Sequence, residues 1–170
     1  MTDTTGLRSL AQLIQRLEPQ LTGANLTILA HENREQITKA LLDGLGVSVP
    51  VQASSGEYTN HLAVLKVGDN KYTFAQDYRE VYLSEINYCS CRIPPDSHGL
   101  LVYHIDYPGV IYDVSRILAE KEINISKLNV SREQKGKNAL LVSITDEEIT
   151  PDVVALIEIL PQITKVMSLQ

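Results

Sequence analysis

Apolar residues at Leu7, Leu10, Ile14 and Leu17 fall on one face of a helix, and Pro19 ends the series. Leu26, Ile28 and Ala30 alternate as a short strand does. Helical spacing returns from about Glu32 to Asp43, with Ile37, Ala40 and Leu41 on one side and Gly44 and Gly46 as the expected stop. The pattern then turns extended over residues 47–51 and 61–67, and again over 71–75 after a turn at Gly68-Asp69-Asn70. A further extended stretch covers 81–93, with a bend expected near Asn87. This half reads as α+β, helices first and a meander after. Pro94-Pro95-Asp96-Ser97 then interrupts helix and sheet alike, since each proline removes a backbone donor. The domain junction is placed there, giving domains over residues 1–95 and 96–170.

The second half is more regular. Leu100 to Asp106 is an apolar strand closed by Tyr107-Pro108-Gly109, and Val110, Ile111, Val114, Ile117 and Leu118 form a helical stripe. Residues 123–131 and 139–144 read as two strands joined by a turn at Gln134-Lys135-Gly136-Lys137. Thr150-Pro151-Asp152 opens a helix, with an N-cap followed by proline at its first position. Pro161 closes it, and residues 163–169 alternate as a last strand. The order is βαββαβ, which predicts a ferredoxin-like sheet with both helices on one face.

Composition narrows the function. Hydrophobic residues make up 44% of the 170, enough for packed cores. The balance of 15 basic to 21 acidic residues, −6 formally, speaks against nucleic acid, because phosphate binding needs clustered Lys and Arg. The densest basic stretch, Arg132 to Lys137, reads as a solvated hairpin turn. No apolar run approaches the ~20 residues that span a bilayer. The first residues lack the basic start and apolar stretch of a secretion signal. Cys89 and Cys91, two apart on an extended segment, are poorly placed to bridge each other. A cytoplasmic protein with free thiols and no membrane partner is expected.

Nothing assembles into a catalytic set: GxGxxG, GxxxxGK[ST], GxSxG and HExxH are all absent. Cys89 and Cys91 lack the second ligand pair that a zinc site requires, and His31, His61 and His98 are isolated. Neither metal nor cofactor is expected. One cluster does carry chemistry: His104-Ile105-Asp106-Tyr107-Pro108-Gly109-Val110, with Asn124 sixteen residues past Pro108. Alternation sets His104 and Asp106 on one side of a strand end, and Pro108-Gly109 bends the chain into a helix whose first amides are unpaired. Those amides favour a carboxylate and Asp106 an ammonium group, complementary to a zwitterionic amino acid. Chemistry alone narrowly favours a plainer account, in which these residues finish a strand and cap a helix.

The segments HIDYPGVIYDVSRILAEKEINISKLNVSR and KGKNALLVSITDEEITPDVVALIEILPQITKVMSL resemble the ACT domain at the C-terminus of D-3-phosphoglycerate dehydrogenase. Similar domains occur in the β chain of iron–sulfur L-serine dehydratase. The resemblance implies an amino-acid effector, serine-like, held between two paired ACT domains. It would touch His104 and Asp106 of one chain and Asn124 of the other, with Pro108, Gly109, Val110 and Ile111 completing the ligand-binding turn. Asp106 stands where some members carry asparagine, and Glu122 where a glycine usually precedes the INI strand, a change expected to strain the helix end. The first half is similar to the allosteric substrate-binding domain of long dehydrogenases, through SSGEYTNHLAVLKV and EINYCSCRIPPDSHGLLV. It is shorter than that pattern around residues 45–49. Gln76-Asp77-Tyr78-Arg79 replaces a glycine-rich turn, which removes support for an anion site there. The expected protein is a stand-alone, non-enzymatic regulatory module, a homodimer that binds an amino acid and acts on a metabolic enzyme. Alternatives are a non-catalytic subunit of an L-serine dehydratase-like enzyme and a dimerisation module without ligand.

Overall fold

The computed structural model describes residues 2–56 and 60–170. Glu57, Tyr58 and Thr59, part of the SSGEYTNHLAVLKV segment, lie outside the described residues. The chain divides into two compact units. The first runs to Asn87 and includes Arg92–Asp96; the second comprises Tyr88–Cys91 and Ser97–Gln170.

The first unit opens with α1 (Thr4–Leu17), whose N-cap Asp3 accepts a hydrogen bond from the Gly6 amide at 2.9 Å. β1 (Asn25–Ile28) leads into α2 (Arg34–Leu45). α2 passes through Gly44, where a stop was expected, and ends on Gly46 at φ +74. Gly44 is required for another reason: a Cβ there would run into the Arg8 carbonyl and the Ala11 methyl of α1. Its missing side chain lets the two helices approach closely. β2 (Val51–Ala53) pairs parallel with β1, and it is the only strand in the stretch 47–53, where an earlier start was expected. β3 (His61–Val67), β4 (Asn70–Gln76), β5 (Val81–Ile86) and β6 (Cys89–Ile93, of which Arg92 and Ile93 belong to this unit) complete a six-stranded sheet in the order β2-β1-β3-β4-β5-β6. The bend expected near Asn87 is a tight turn, with Asn87 at φ +56. Glu18, capping α1, accepts from Asn70 and from the buried Tyr72 hydroxyl, each at 2.8 Å.

The second unit contains β7 (Gly99–Ile105), α3 (Val110–Glu120), β8 (Ile125–Arg132), β9 (Asn138–Thr145), α4 (Pro151–Glu158) and β10 (Ile163–Ser168). Strand order β10-β7-β9-β8 is that of the βαββαβ split unit. Leu100, Val102 and Leu141 meet Val114, Leu118, Val153 and Ile157 in one core, so both helices bury their stripes on the same face. Thr150 precedes Pro151 as expected, but its hydroxyl bonds the Asp152 carboxylate and no cap bond to the backbone forms. Glu122 follows α3 at φ +57, so the expected strain at a position suited to glycine is present.

Candidate functional site

β7 delivers His104 to the end of the ferredoxin-like sheet with its side chain 1% exposed. Nδ1 lies 3.1 Å from the Ile105 carbonyl; a carbonyl only accepts, so a hydrogen bond there puts the proton on Nδ1. Nε2 is closed to solvent and has no partner among the described residues. The ring meets Tyr107 edge-on, with centroids 6.2 Å apart and planes at 88°. Tyr107 in turn donates to Asp113 Oδ2 at 3.2 Å; burial, and then this carboxylate, push the phenol pKa up. The chain turns into α3 at Gly109, whose φ of +103 suits only glycine. Gly109, as N-cap, has no side chain to bond the first amides of the helix.

Asp106 sits one residue beyond β7, its side chain 23% exposed. Its Oδ2 accepts from the Gly136 amide at 3.1 Å and from Arg132 Nη1 at 2.8 Å. The Gly136 amide, and after it Arg132, hold the carboxyl below its ordinary pKa. Both donors belong to the β8–β9 hairpin, so the carboxylate expected to favour an ammonium group already has two partners in its own chain. In the sequence Arg132 stands out only as the start of a basic turn expected to be solvated.

Val110 is buried in the core and supplies packing, while Pro108, Gly109 and Ile111 are exposed. Asn124 is elsewhere. β7 and β8 run the same way in the sheet, with His104, Ala139 and Arg132 in one row. Asn124 lies next to Ile125, which pairs with Thr145, at the far end. Eight residues of chain along β8, about 26 Å, separate Asn124 from Arg132 and so from the row of His104 within one chain. There its side chain donates to Asp146 Oδ2 at 2.7 Å, and its amide to Glu147 Oε1 at 2.7 Å. It borders a shallow groove with Tyr112, Arg116 and Ile125.

Two other polar regions are internally satisfied. Beside α2, a shallow concavity carries Lys39 and Asp43, paired at 2.8 Å, and Arg34, which donates to the Ala30 and Ser54 carbonyls. At the turn after β4, Asp77 accepts from the Arg79 and Glu80 amides, and Arg92 bridges Asp77 at 2.8 Å and Glu80 at 2.7 Å while lying over the Tyr82 ring. Burial alone would raise the Asp77 pKa, but these donors together bring it down to about 2. Cys89 and Cys91 are buried and form no disulfide. Burial, and then Glu133, raise the Cys89 pKa, which makes it a poor nucleophile.

The βαββαβ unit is an ACT domain: residues 98–162 match the family model described as "ACT domain". Among curated proteins, the chain is similar to D-3-phosphoglycerate dehydrogenase of Bacillus subtilis, 29% identical over 127 residues, which cover 72% of this chain and 24% of that protein. The enzyme of the same name from Synechocystis sp. is 24% identical over 163 residues, 90% of this chain and 28% of that protein. The probable L-serine dehydratase beta chain of Bacillus subtilis is 29% identical over 87 residues, 51% of this chain and 40% of that one. The chain thus spans about a quarter of the length of the two dehydrogenases, and the likeness lies in their C-terminal region. None of the helices among the described residues is long and apolar enough to cross a membrane.

Proposed function

We propose that this chain is a regulatory module in which a small, serine-like amino acid binds between two ACT domains and alters the behaviour of a metabolic enzyme. The domains are residues 1–95 and 96–170, joined at Pro94-Pro95. The observation that carries the reading is the end of β7: a buried histidine with an unpartnered Nε2, a carboxylate one residue past the strand, and a helix start without a side-chain cap. The strand length that separates Asn124 from the row of His104 supports a two-chain site. β8 is an edge strand with Leu128 41% and Val130 38% exposed, apolar residues that need a neighbour. Antiparallel pairing of β8 with its copy about a twofold axis would bring the partner's β8 start, and with it a second Asn124, to the Arg132 end.

The likeness to dehydrogenases is confined to about a quarter of their length, which supports a chain without dehydrogenase activity of its own. Pure protein that interconverts 3-phosphoglycerate and phosphohydroxypyruvate with a nicotinamide cofactor would overturn that statement. The effector is tested by thermal unfolding in the presence of each of the twenty amino acids, since a ligand of the native state raises its melting temperature. Calorimetric titration then compares wild type with Asp106→Ala, which should bind roughly ten- to a hundredfold more weakly. No binding at millimolar amino acid would remove the site. The likeness to the dehydratase beta chain supports a second reading, a non-catalytic subunit of a serine dehydratase-like enzyme. Copurification with a chain bearing cluster-binding cysteines would favour it.

A further inference from the structure

Directly paired residues of antiparallel strands project to the same face of a sheet. His104 on β7, Ala139 on β9 and Arg132 on β8 are therefore three side chains in one row on the helix-covered face. The middle member is only a methyl group, and the outer two are two strand spacings apart, about 10 Å between Cα atoms. Asp106 lies at the end of the row and grips Arg132 through Nη1 at 2.8 Å, while the Gly136 amide binds the same carboxylate oxygen. One carboxylate oxygen thus has two donors, and among the described residues one of the five guanidinium N–H groups is hydrogen-bonded. The Arg132 side chain is 52% exposed, so the rest of its planar fork faces outward. A guanidinium fixed at one corner by an acid is well suited to a second, bidentate bond to a carboxylate.

We propose that Arg132 is the specificity-determining residue of the ACT site, binding the α-carboxylate of the ligand, with Asp106 as the positioning residue that holds the guanidinium. This rests on the amino-acid reading given above and reverses the charge logic of the site. Asp106 is first the partner of Arg132, and the ligand is selected by its acid end. A role confined to a surface ion pair would leave ligand selectivity unmoved, because exposed pairs add little to stability and read no ligand.

The test is calorimetric titration of the full chain with L-amino acids, each paired with its α-carboxamide, beginning with L-serine and L-serinamide. The carboxamide keeps the ammonium group and side chain but lacks the charge that Arg132 would bind. Wild type should prefer the acid by roughly ten- to a hundredfold, the range of a charge-assisted hydrogen bond. Arg132→Gln should lose that preference to within about threefold, through weaker binding of the acid and little change for the carboxamide. Arg132→Lys keeps the charge without the fork and should fall between the two, and melting curves of both variants confirm the fold. If Arg132→Gln still prefers the acid as strongly as wild type does, the assignment of Arg132 is overturned while the amino-acid site stands. If wild type binds none of the twenty acids at millimolar concentration, the amino-acid reading and the role of Arg132 fall together.

Discussion

β7 and β8 are strands of similar length, run in the same direction and lie two places apart in one sheet, yet they meet opposite fates. Five of the seven β7 residues are buried, whereas none of β8 is. The apolar run Gly99–Ile105 suits a central strand, and the alternating Ile125–Arg132 suits one that stops the sheet. On β8, Leu128 and Val130 occupy rows that continue the core, opposite Ser143 and Leu141, but they remain partly exposed. β7 thus carries the fold, and β8 carries what the fold presents.

The largest effect expected belongs to β7. Leu100→Ala removes a fully buried side chain from the core beneath both helices, and should cost about 2–5 kcal/mol in urea unfolding. A cost under ~1 kcal/mol would break the contrast at its stronger end. The next effect is a control from outside the ACT domain. Asp77 has a folded pKa of about 2 against an ordinary 3.8, so its contribution is fully present above pH 4 and lost as pH falls from about 4 toward 2. Stability measured across that window should decline in wild type and decline less steeply in Asp77→Asn. Equal slopes would remove Asp77 as the group responsible.

Glu122, between α3 and β8, is a smaller case and of opposite sign. Its φ of +57 penalises any side chain, and Glu122→Gly should stabilise by about 0.5–1 kcal/mol despite the added freedom of the unfolded chain. A loss of stability would mean that the glutamate side chain offsets the backbone strain. The smallest effect on the single chain is reserved for β8 itself. Val130→Lys should leave unfolding within about 0.5 kcal/mol of wild type when measured on dilute protein, yet abolish association in light scattering. If it unfolds the protein as Leu100→Ala does, β8 belongs to the fold after all. If dimers survive it, they form elsewhere.

Much of this arrangement was legible in the sequence, for identifiable reasons. Alternation and turn residues marked each strand of the second half to within a residue or two, because Pro108-Gly109, Gly136 and Pro161 interrupt patterns that have no other explanation. Gly44 misled, because a helical glycine that ends a helix and one that admits a neighbouring helix look alike until the neighbour is known. Arg132 carries no signal of its role in the linear sequence, for a different reason. Its chemistry depends on register: the turn at residues 134–137 puts Arg132 opposite Ala139 and so in the row of His104, a relation absent from the linear spacing. Asn124 shows the limit of motif reasoning. Twenty residues from His104 along the chain, it lies a full strand length from it in space, a relation that no spacing in the sequence reveals.

That separation has a consequence for how such a protein would respond. Under the proposed pairing, each chain lends His104, Asp106 and Arg132 to one pocket and Asn124 to the other, so pockets arise in twos and neither exists on a lone chain. Effector uptake would then be inseparable from self-association. Diluting the protein below its dimer dissociation constant would weaken apparent affinity for the effector, and saturating effector would tighten the dimer by the same coupling free energy. The module would report the product of two abundances, its own and the metabolite's, and a dilute assay would understate the sensitivity it has at high concentration.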